Sequence, residues 1–462
     1  MMSRWRRRLI AGMLGLLVAL LLSCHSEPIV NQTGDPGPAA LRIYWNRGFY
    51  PEEDQALQQV IQDWEQQTGT RVELSLISSD DILNQTTIAL ENNAPPDIVF
   101  AHRADYTLQP RWALEGKLMD VSEVIEPVRD RYSPAALESA YLYDKTIQQR
   151  RYYGVPIELQ TIHIHYWRDL LTQANLQETD IPNDWDGFWN IWKQGQKQLR
   201  QKGKEELYGL GLPLSTKASD TFFLFEQILE AYDIELLDAE GKLRLSDPAV
   251  RQGVIDSLTW LTQFYQTGYV PTSALNWVDS DNNVNFLNRM TLMTANPSLA
   301  IPASQRGDEA VYQEQIVTRE FPLEPDGEPI RYLTSIKQAL IFKNSPNPNA
   351  AKQFLAYLIQ PDRLNQYIKG SLGRWFPVMP DLLKDAFWQD ARDPHVSKAV
   401  QQLMQHPTRL FYHVLNPAYS QVQSENIWGQ AIHRVIVEGQ SPEMVVDEAI
   451  QHINRIAAEW ER

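Results

Sequence analysis

The pattern of residues 41–100 narrows the fold more than any other feature of the chain. Leu41-Arg42-Ile43-Tyr44-Trp45 alternates as a half-buried strand does. Leu57, Val60, Ile61 and Trp64 then share one helical face, and Gly69 offers a stop. Val72, Leu74 and Leu76 alternate with Glu73 and Ser75, a helix is expected over 82–90, and Asp97-Ile98-Val99-Phe100 reads as a short apolar strand behind Ala94-Pro95-Pro96. Strand, helix, strand, helix, strand implies right-handed crossovers and a mostly parallel sheet. The expected class is α/β. In open sheets of this kind ligands sit beyond the carboxyl ends of the strands.

A second unit begins near Gly154-Val155-Pro156. Ile162, Ile164 and Tyr166 share a strand face, and beyond them the chain reads as mainly helical. Trp185–Leu199 follows a capping residue at Asn183 or Asp184. Val254, Leu258, Leu261 and Tyr265 form a helical stripe, Ser335–Phe342 returns to a strand pattern, and helices are expected over Ala350–Ile359 and at Val446–Trp460. No fixed-period repeat is visible. A chain of 462 residues, 43% of them hydrophobic, has enough apolar surface for two or three domains.

The formal charge of −16 argues against a phosphate-binding surface of clustered Lys and Arg, so no nucleic-acid partner is expected. Excess negative charge favours a soluble monomer. Cys24 is the only cysteine, which rules out an internal disulfide and a cysteine-based zinc site. It ends a basic start (Arg4, Arg6, Arg7, Arg8) and an apolar run from Leu9 to Leu22. That is the layout of a secretion signal, and the run is shorter than the ~20 residues of a spanning helix. Leu21-Leu22-Ser23-Cys24 resembles a bacterial lipobox, which implies cleavage before Cys24 and lipidation there. Residues 25–39 read as a flexible tether. The expected localisation is exported, as a periplasmic or cell-surface lipoprotein.

Several segments in order resemble family 1 extracellular solute-binding proteins, the maltose-binding-protein-like group. They are Ile43-Tyr44-Trp45-Asn46, Asp63-Trp64-Glu65-Gln66-Gln67-Thr68-Gly69, Pro96-Asp97-Ile98-Val99-Phe100 and Leu114-Glu115-Gly116-Lys117-Leu118-Met119-Asp120. They continue with Tyr153-Gly154-Val155-Pro156, Tyr166-Trp167-Arg168-Asp169-Leu170-Leu171, Pro182–Phe188 and Asn349-Ala350-Ala351-Lys352-Gln353-Phe354-Leu355. The family's Asn is Trp167 here, and its Gly-Lys-x-Ala-Met segment is replaced by Asn288–Met293. The resemblance implies a periplasmic-binding-protein-like fold: two α/β lobes joined by three hinge crossings, with an interlobe ligand cleft. By analogy the crossings fall near Val155–Gln160, Pro322–Pro329 and Gly370–Arg374. The expected divisions are 1–23 signal peptide, 24–40 lipid-anchored tether, 41–157 with 324–370 first lobe, and 158–323 with 371–462 second lobe.

Trp45, Asn46, His102, Arg103 and Asp105 follow strands of the same sheet and are expected at the cleft. Glu158, just after the hinge proline, offers a carboxylate for ligand hydroxyls. Asp220, Phe222, Trp277, Asn296, Arg374 and Trp375 occupy segments that supply ligand contacts in the family. Aromatic faces stack on sugar rings, and 14 Trp and 19 Tyr are an ample supply, although most are expected in the core. His163-x-His165 lacks a third ligand at metal-binding spacing, so neither metal nor cofactor is expected. Gly-x-Ser-x-Gly, Walker and His-Glu-x-x-His patterns are absent from the sequence. The expected function is substrate capture for an ABC importer. The partners are a carbohydrate, the permease subunits and, through Cys24, a membrane. A secreted glycosidase or lyase using Glu158 or Asp105 is the rival reading. A polyol, glycosylated osmolyte or glycerol phosphodiester is the alternative ligand.

Overall fold

A computed structural model describes residues 40–461. The expected signal, Cys24 and all but the last residue of the tether lie outside the described residues. In chain order the strands are β1 (Leu41–Asn46), β2 (Val72–Ile77), β3 (Ile98–Phe100), β4 (Tyr141–Asp144), β5 (Gln149–Tyr152), β6 (Val155–Thr161) and β7 (His163–Trp167). They continue with β8 (Tyr208–Gly211), β9 (Thr291–Asn296), β10 (Ile316–Arg319), β11 (Tyr332–Leu340), β12 (Phe376–Pro377) and β13 (Thr408–Leu410).

The larger sheet runs β12-β6-β11-β3-β1-β2, with β13 added to the start of β11. β1, β2 and β3 are mutually parallel, as their helical connections require. β11 runs antiparallel to β3 and β6, and β6 antiparallel to β12, so the sheet is mixed, where a mostly parallel one was expected. The helix Pro51–Thr68 starts on Pro51, carries Glu52, Glu53 and Asp54 in its first turn, and ends at Gly69 in the left-handed region. Its buried face, Leu57, Val60, Ile61 and Trp64, packs in one core with Ile43, Ile98 and Phe354.

The smaller sheet runs β10-β7-β9-β8. Its core includes Trp185, Phe188, Trp189 and Trp192 of the helix Trp185–Gln201, whose cap is Asp184, accepting the Gly187 N–H at 2.8 Å. The expected helical second half thus holds three further strands, β8, β9 and β10. β9 is buried at every position and shows no period-2 alternation to read.

Among the described residues, three strands of the larger sheet carry the chain from one core to the other. Val155 and Ile157 belong to the first core and Ile162 and Ile164 to the second. Leu333 belongs to the second and Ile336 to the first, and Leu410 to the first with Phe411 in the second. The last of these differs from the expected crossing at Gly370–Arg374. Trp375, Phe376, Val378, Trp388, Val396 and Val400 pack in the first core, and β12 hydrogen-bonds to β6. The expected second-lobe segment 371–462 is therefore divided, because an added strand and helix return to the first sheet before the chain leaves it.

Candidate functional site

The carboxyl ends of β1, β2 and β3 lie on one edge of the larger sheet, and the loops beyond them supply Phe49, Ser79, Asp80, His102, Arg103 and Tyr106 to a cleft of about 280 Å³. Gln160 of β6 and Lys337 of β11 form its floor, where the chain crosses between cores. Ser219 and Asp220 reach it from the start of the helix Ser219–Ala231, and Asp279, Asn283, Asn296 and Ser298 complete the second lobe's wall. The Tyr50 hydroxyl donates to the Ala300 carbonyl across the cleft at 2.5 Å, so the two lobes touch.

Six of the expected residues line this cleft: His102, Arg103, Asp220, Asn296, Arg374 and Trp375. Among the described tryptophans Trp375 alone does so. The Arg374 guanidinium lies 4.5 Å from the Trp375 ring and 4.9 Å from Phe49, and pairs with Glu53 at 3.1 Å. His102 meets the Trp375 ring edge-on at 4.8 Å. The turn that delivers both residues carries positive φ at Leu372 and Gly373, and a Cβ on Gly373 would run into Val396. The Trp375 indole N–H and the Nε–H groups of Arg374 and Arg103 are buried without a protein acceptor among the described residues. Buried donors left unpaired are costly, and here they belong to residues lining the cleft.

The other six stand behind the walls. Trp45 is buried, stacked on Phe100 at 4.3 Å, and donates to the Tyr367 hydroxyl at 3.1 Å. Asn46 accepts the His102 N–H at 3.4 Å and the Ser79 hydroxyl at 3.0 Å, which positions two cleft loops. Asp105 is 3% exposed and pairs with Lys337 at 3.3 Å. Glu158 is 2% exposed with its carboxylate 3.5 Å from His102 Nε2. Phe222 packs between Phe411 and Tyr419, and the Trp277 N–H donates to Ser273 at 3.1 Å inside the second core. For Trp45 and Asn46 the reason is that the end of a strand is anchored by its neighbours, and the residues that reach the cleft from β1 come later in the loop, at Phe49.

Burial dominates the electrostatics. It pushes Glu158 up to about 7 and Glu53 upward, and it drives His102 well below its usual value, with Arg374 adding to that effect. Lys337 is lowered by burial and held up by Asp105. Its ammonium also donates to Ser335 at 2.9 Å and faces the Tyr106 ring at 4.9 Å. On the far wall burial and Asp279 push Asp220 well above the carboxylate range.

Lys337, Gln160, Tyr106 and Asp279 are cleft residues that the sequence reading passed over. Two carried a signal. Ser335 and Lys337 share one face of β11, and Glu158 and Gln160 one face of β6, each putting polar side chains inside a largely buried strand. Asp279 lies two residues past Trp277 and carried none.

His163 and His165 are taken up by protein partners. His163 Nδ1 bonds Gln402 at 2.8 Å and His165 Nδ1 bonds Thr318 at 3.1 Å, while burial lowers His163 to about 4.

Comparison with solved structures gives the same two-lobed fold. An ABC transporter solute-binding protein from Thermotoga lettingae TMO bound to α-D-tagatose matches with a TM-score of 0.72 at 19% identity, covering 90% of this chain and 99% of that one. Maltose-bound MalE3 of T. maritima gives 0.71 at 16% identity over 90% and 100%. The cyclic α-maltosyl-1,6-maltose binding protein of Arthrobacter globiformis gives 0.69 at 18% over 91% and 99%. Among curated proteins, YcjN of Escherichia coli strain K12, named as an ABC transporter periplasmic-binding protein, is 22% identical over 242 residues. That match spans 51% of this chain and half the length of the relative. The family model for bacterial extracellular solute-binding proteins matches residues 59–397. With most of its length covered by that model, the chain belongs to the bacterial extracellular solute-binding protein family.

Proposed function

We propose that the protein is the substrate-binding subunit of an ABC importer, held at a membrane by a lipid on Cys24, and that it captures a sugar or short oligosaccharide between its lobes for delivery to a permease. The observation that carries this reading is the Trp375 platform. A flat ring with a free N–H stands beside an Arg with a free Nε–H, facing a wall of carboxyl and carboxamide groups. Ring faces, donors and acceptors in one cleft are what a hydroxyl-rich ring requires. Tagatose and maltose in the cited neighbours are consistent with it. The cavity of about 280 Å³ lies just below the roughly 300–1,000 Å³ of drug-sized sites, which favours a small ligand.

Closure of the lobes over the ligand supplies the shape a permease recognises. The test is a thermal-shift screen of the purified protein against neutral mono- and disaccharides, followed by calorimetry and an assay for new reducing ends. A ligand bound only by the native state must raise the melting temperature. A saturable hit without new reducing ends is expected. New reducing ends would replace the binding reading with an enzyme. For the anchor, Cys24→Ser is expected to leave the precursor uncut or to release the protein from the membrane fraction, and membrane-bound, processed mutant protein would reject it.

A further inference from the structure

We infer that Asp279, with Asp220 beside it, is the specificity-determining pair of the cleft, rejecting ligands that bear a carboxylate, sulfate or phosphate and favouring hydroxylated rings that are neutral or carry an amine. The inference rests on the sugar-binding reading above and concerns the ligand's charge.

It comes from a census of the charges that reach the cleft. Each cation there already has a carboxylate. Arg103 has Asp80 at 3.0 Å, Lys337 has Asp105 at 3.3 Å, and Arg374 has Glu53 at 3.1 Å. His102 stays neutral at pH 7, because burial and Arg374 both oppose its protonation. Among the described residues lining the cleft, no cation is left without a carboxylate for an anionic ligand group.

The second lobe's carboxyls are in the opposite position. Asp279 accepts the Ser219 hydroxyl at 2.7 Å and the Asp220 backbone N–H at 3.2 Å, and Asp220 accepts from Asn282 at 3.2 Å. Neither has a Lys, Arg or His partner among the described residues. Burial and Asp279 keep a proton on Asp220 to higher pH than usual.

The placement of Asp279 closes the other route. The helix Ser219–Ala231 begins at the cleft, and a helix start is the common backbone site for an anion. Asp279 occupies it with the protein's own carboxylate. An incoming anion would meet like charge where the Asp220 amide is already taken, and such juxtaposition is a standard device for excluding wrong partners.

Matched sugars decide the matter: glucose, glucosamine and glucuronate; galactose, galactosamine and galacturonate; maltose and maltobionate. Calorimetry with the purified protein is expected to find binding among the neutral or amino members, and about 100-fold weaker binding of the acid from the same set. Asp279→Asn keeps the acceptor for Ser219 and Asp220 while removing the charge, and it is expected to narrow that ratio about tenfold. Asp220→Asn, run in parallel, is expected to narrow it less. An acid member binding the native protein within about threefold of its neutral partner overturns the inference, as does a ratio unmoved in both variants. If no member of any set binds, the sugar reading itself falls and takes this inference with it.

Discussion

On the first lobe the cleft wall is held by its neighbours. Arg374 is paired with Glu53 and stacked on Trp375, Trp375 packs in the core, His102 is wedged against Trp375 beside Glu158, and Lys337 on the floor is locked to Asp105. On the second lobe Asp279 is partly exposed and holds only Ser219 and the Asp220 N–H, and Asn283 and Asn296 bond mainly to each other and to Ser298. The contrast separates two jobs. On the proposed sugar-binding role, the first wall carries stability and recognition in the same side chains, while the second carries recognition with little of the fold resting on it. Substitutions on the first wall that remove a packed ring or a paired charge should therefore move melting and binding together, and those on the second should move binding alone.

The floor gives the largest effect. Lys337→Met leaves Asp105 buried without its cation and is expected to cost about 3–5 kcal/mol in urea unfolding, since removing one partner strands the other. Lys337→Met combined with Asp105→Leu should recover most of that loss. A single variant as stable as the native protein would break the claim that the first wall carries the fold.

Glu158→Gln comes next and has a pH signature. Glu158 titrates near 7 in the folded chain against about 4.3 when unfolded. Its folded pKa is raised, so ionising it costs stability across the window between those values, and the cost is complete above pH 7. The variant lacks the cost. Its stability relative to the native protein should rise from pH 4 to pH 7, by on the order of 3 kcal/mol, and then level off. His163 and His395, lowered to about 4 by burial, lose stability as pH falls below about 6.5, but equally in both proteins. A flat difference between the two proteins would show that Glu158 ionises freely.

Much of the fold was legible because it is local. The helix Pro51–Thr68 wrote its proline, its acidic first turn and its glycine stop into the sequence, and β1 alternates because only one of its faces is fully buried. The mixed sheet and the return of Trp375–Val400 to the first core were not legible, because both depend on contacts between residues far apart in the chain. The site divides in the same way. Loops after parallel strands could be named in advance, as His102 and Arg103 show, and so could Trp375. Trp45 and Phe222 could not be sorted from cleft residues, since an aromatic at a strand end or helix start reads alike whether it faces the cleft or the core.

Smaller effects sharpen the contrast between the walls. Trp375→Phe keeps a ring on the first core and removes the unpaired N–H. Binding of the best neutral sugar should weaken by about 0.5–1.5 kcal/mol, with melting little changed. Affinity equal to native would place the indole N–H away from the ligand. Asp279→Asn should alter stability by no more than about 0.5 kcal/mol, because asparagine serves as well in capping the Ser219–Ala231 helix. A larger loss would show that the second wall also carries the fold.

The central claim is that a hydroxylated ring sits between these walls. A crystal structure of the protein soaked with the best hit from the neutral-sugar screen tests it most directly. The account predicts one sugar ring against Trp375, its hydroxyls bonded to the Trp375 N–H and to the Asp220–Asp279 pair. Sugar bound instead in the groove between Arg319 and His406, with the Trp375 cleft unchanged, would contradict it.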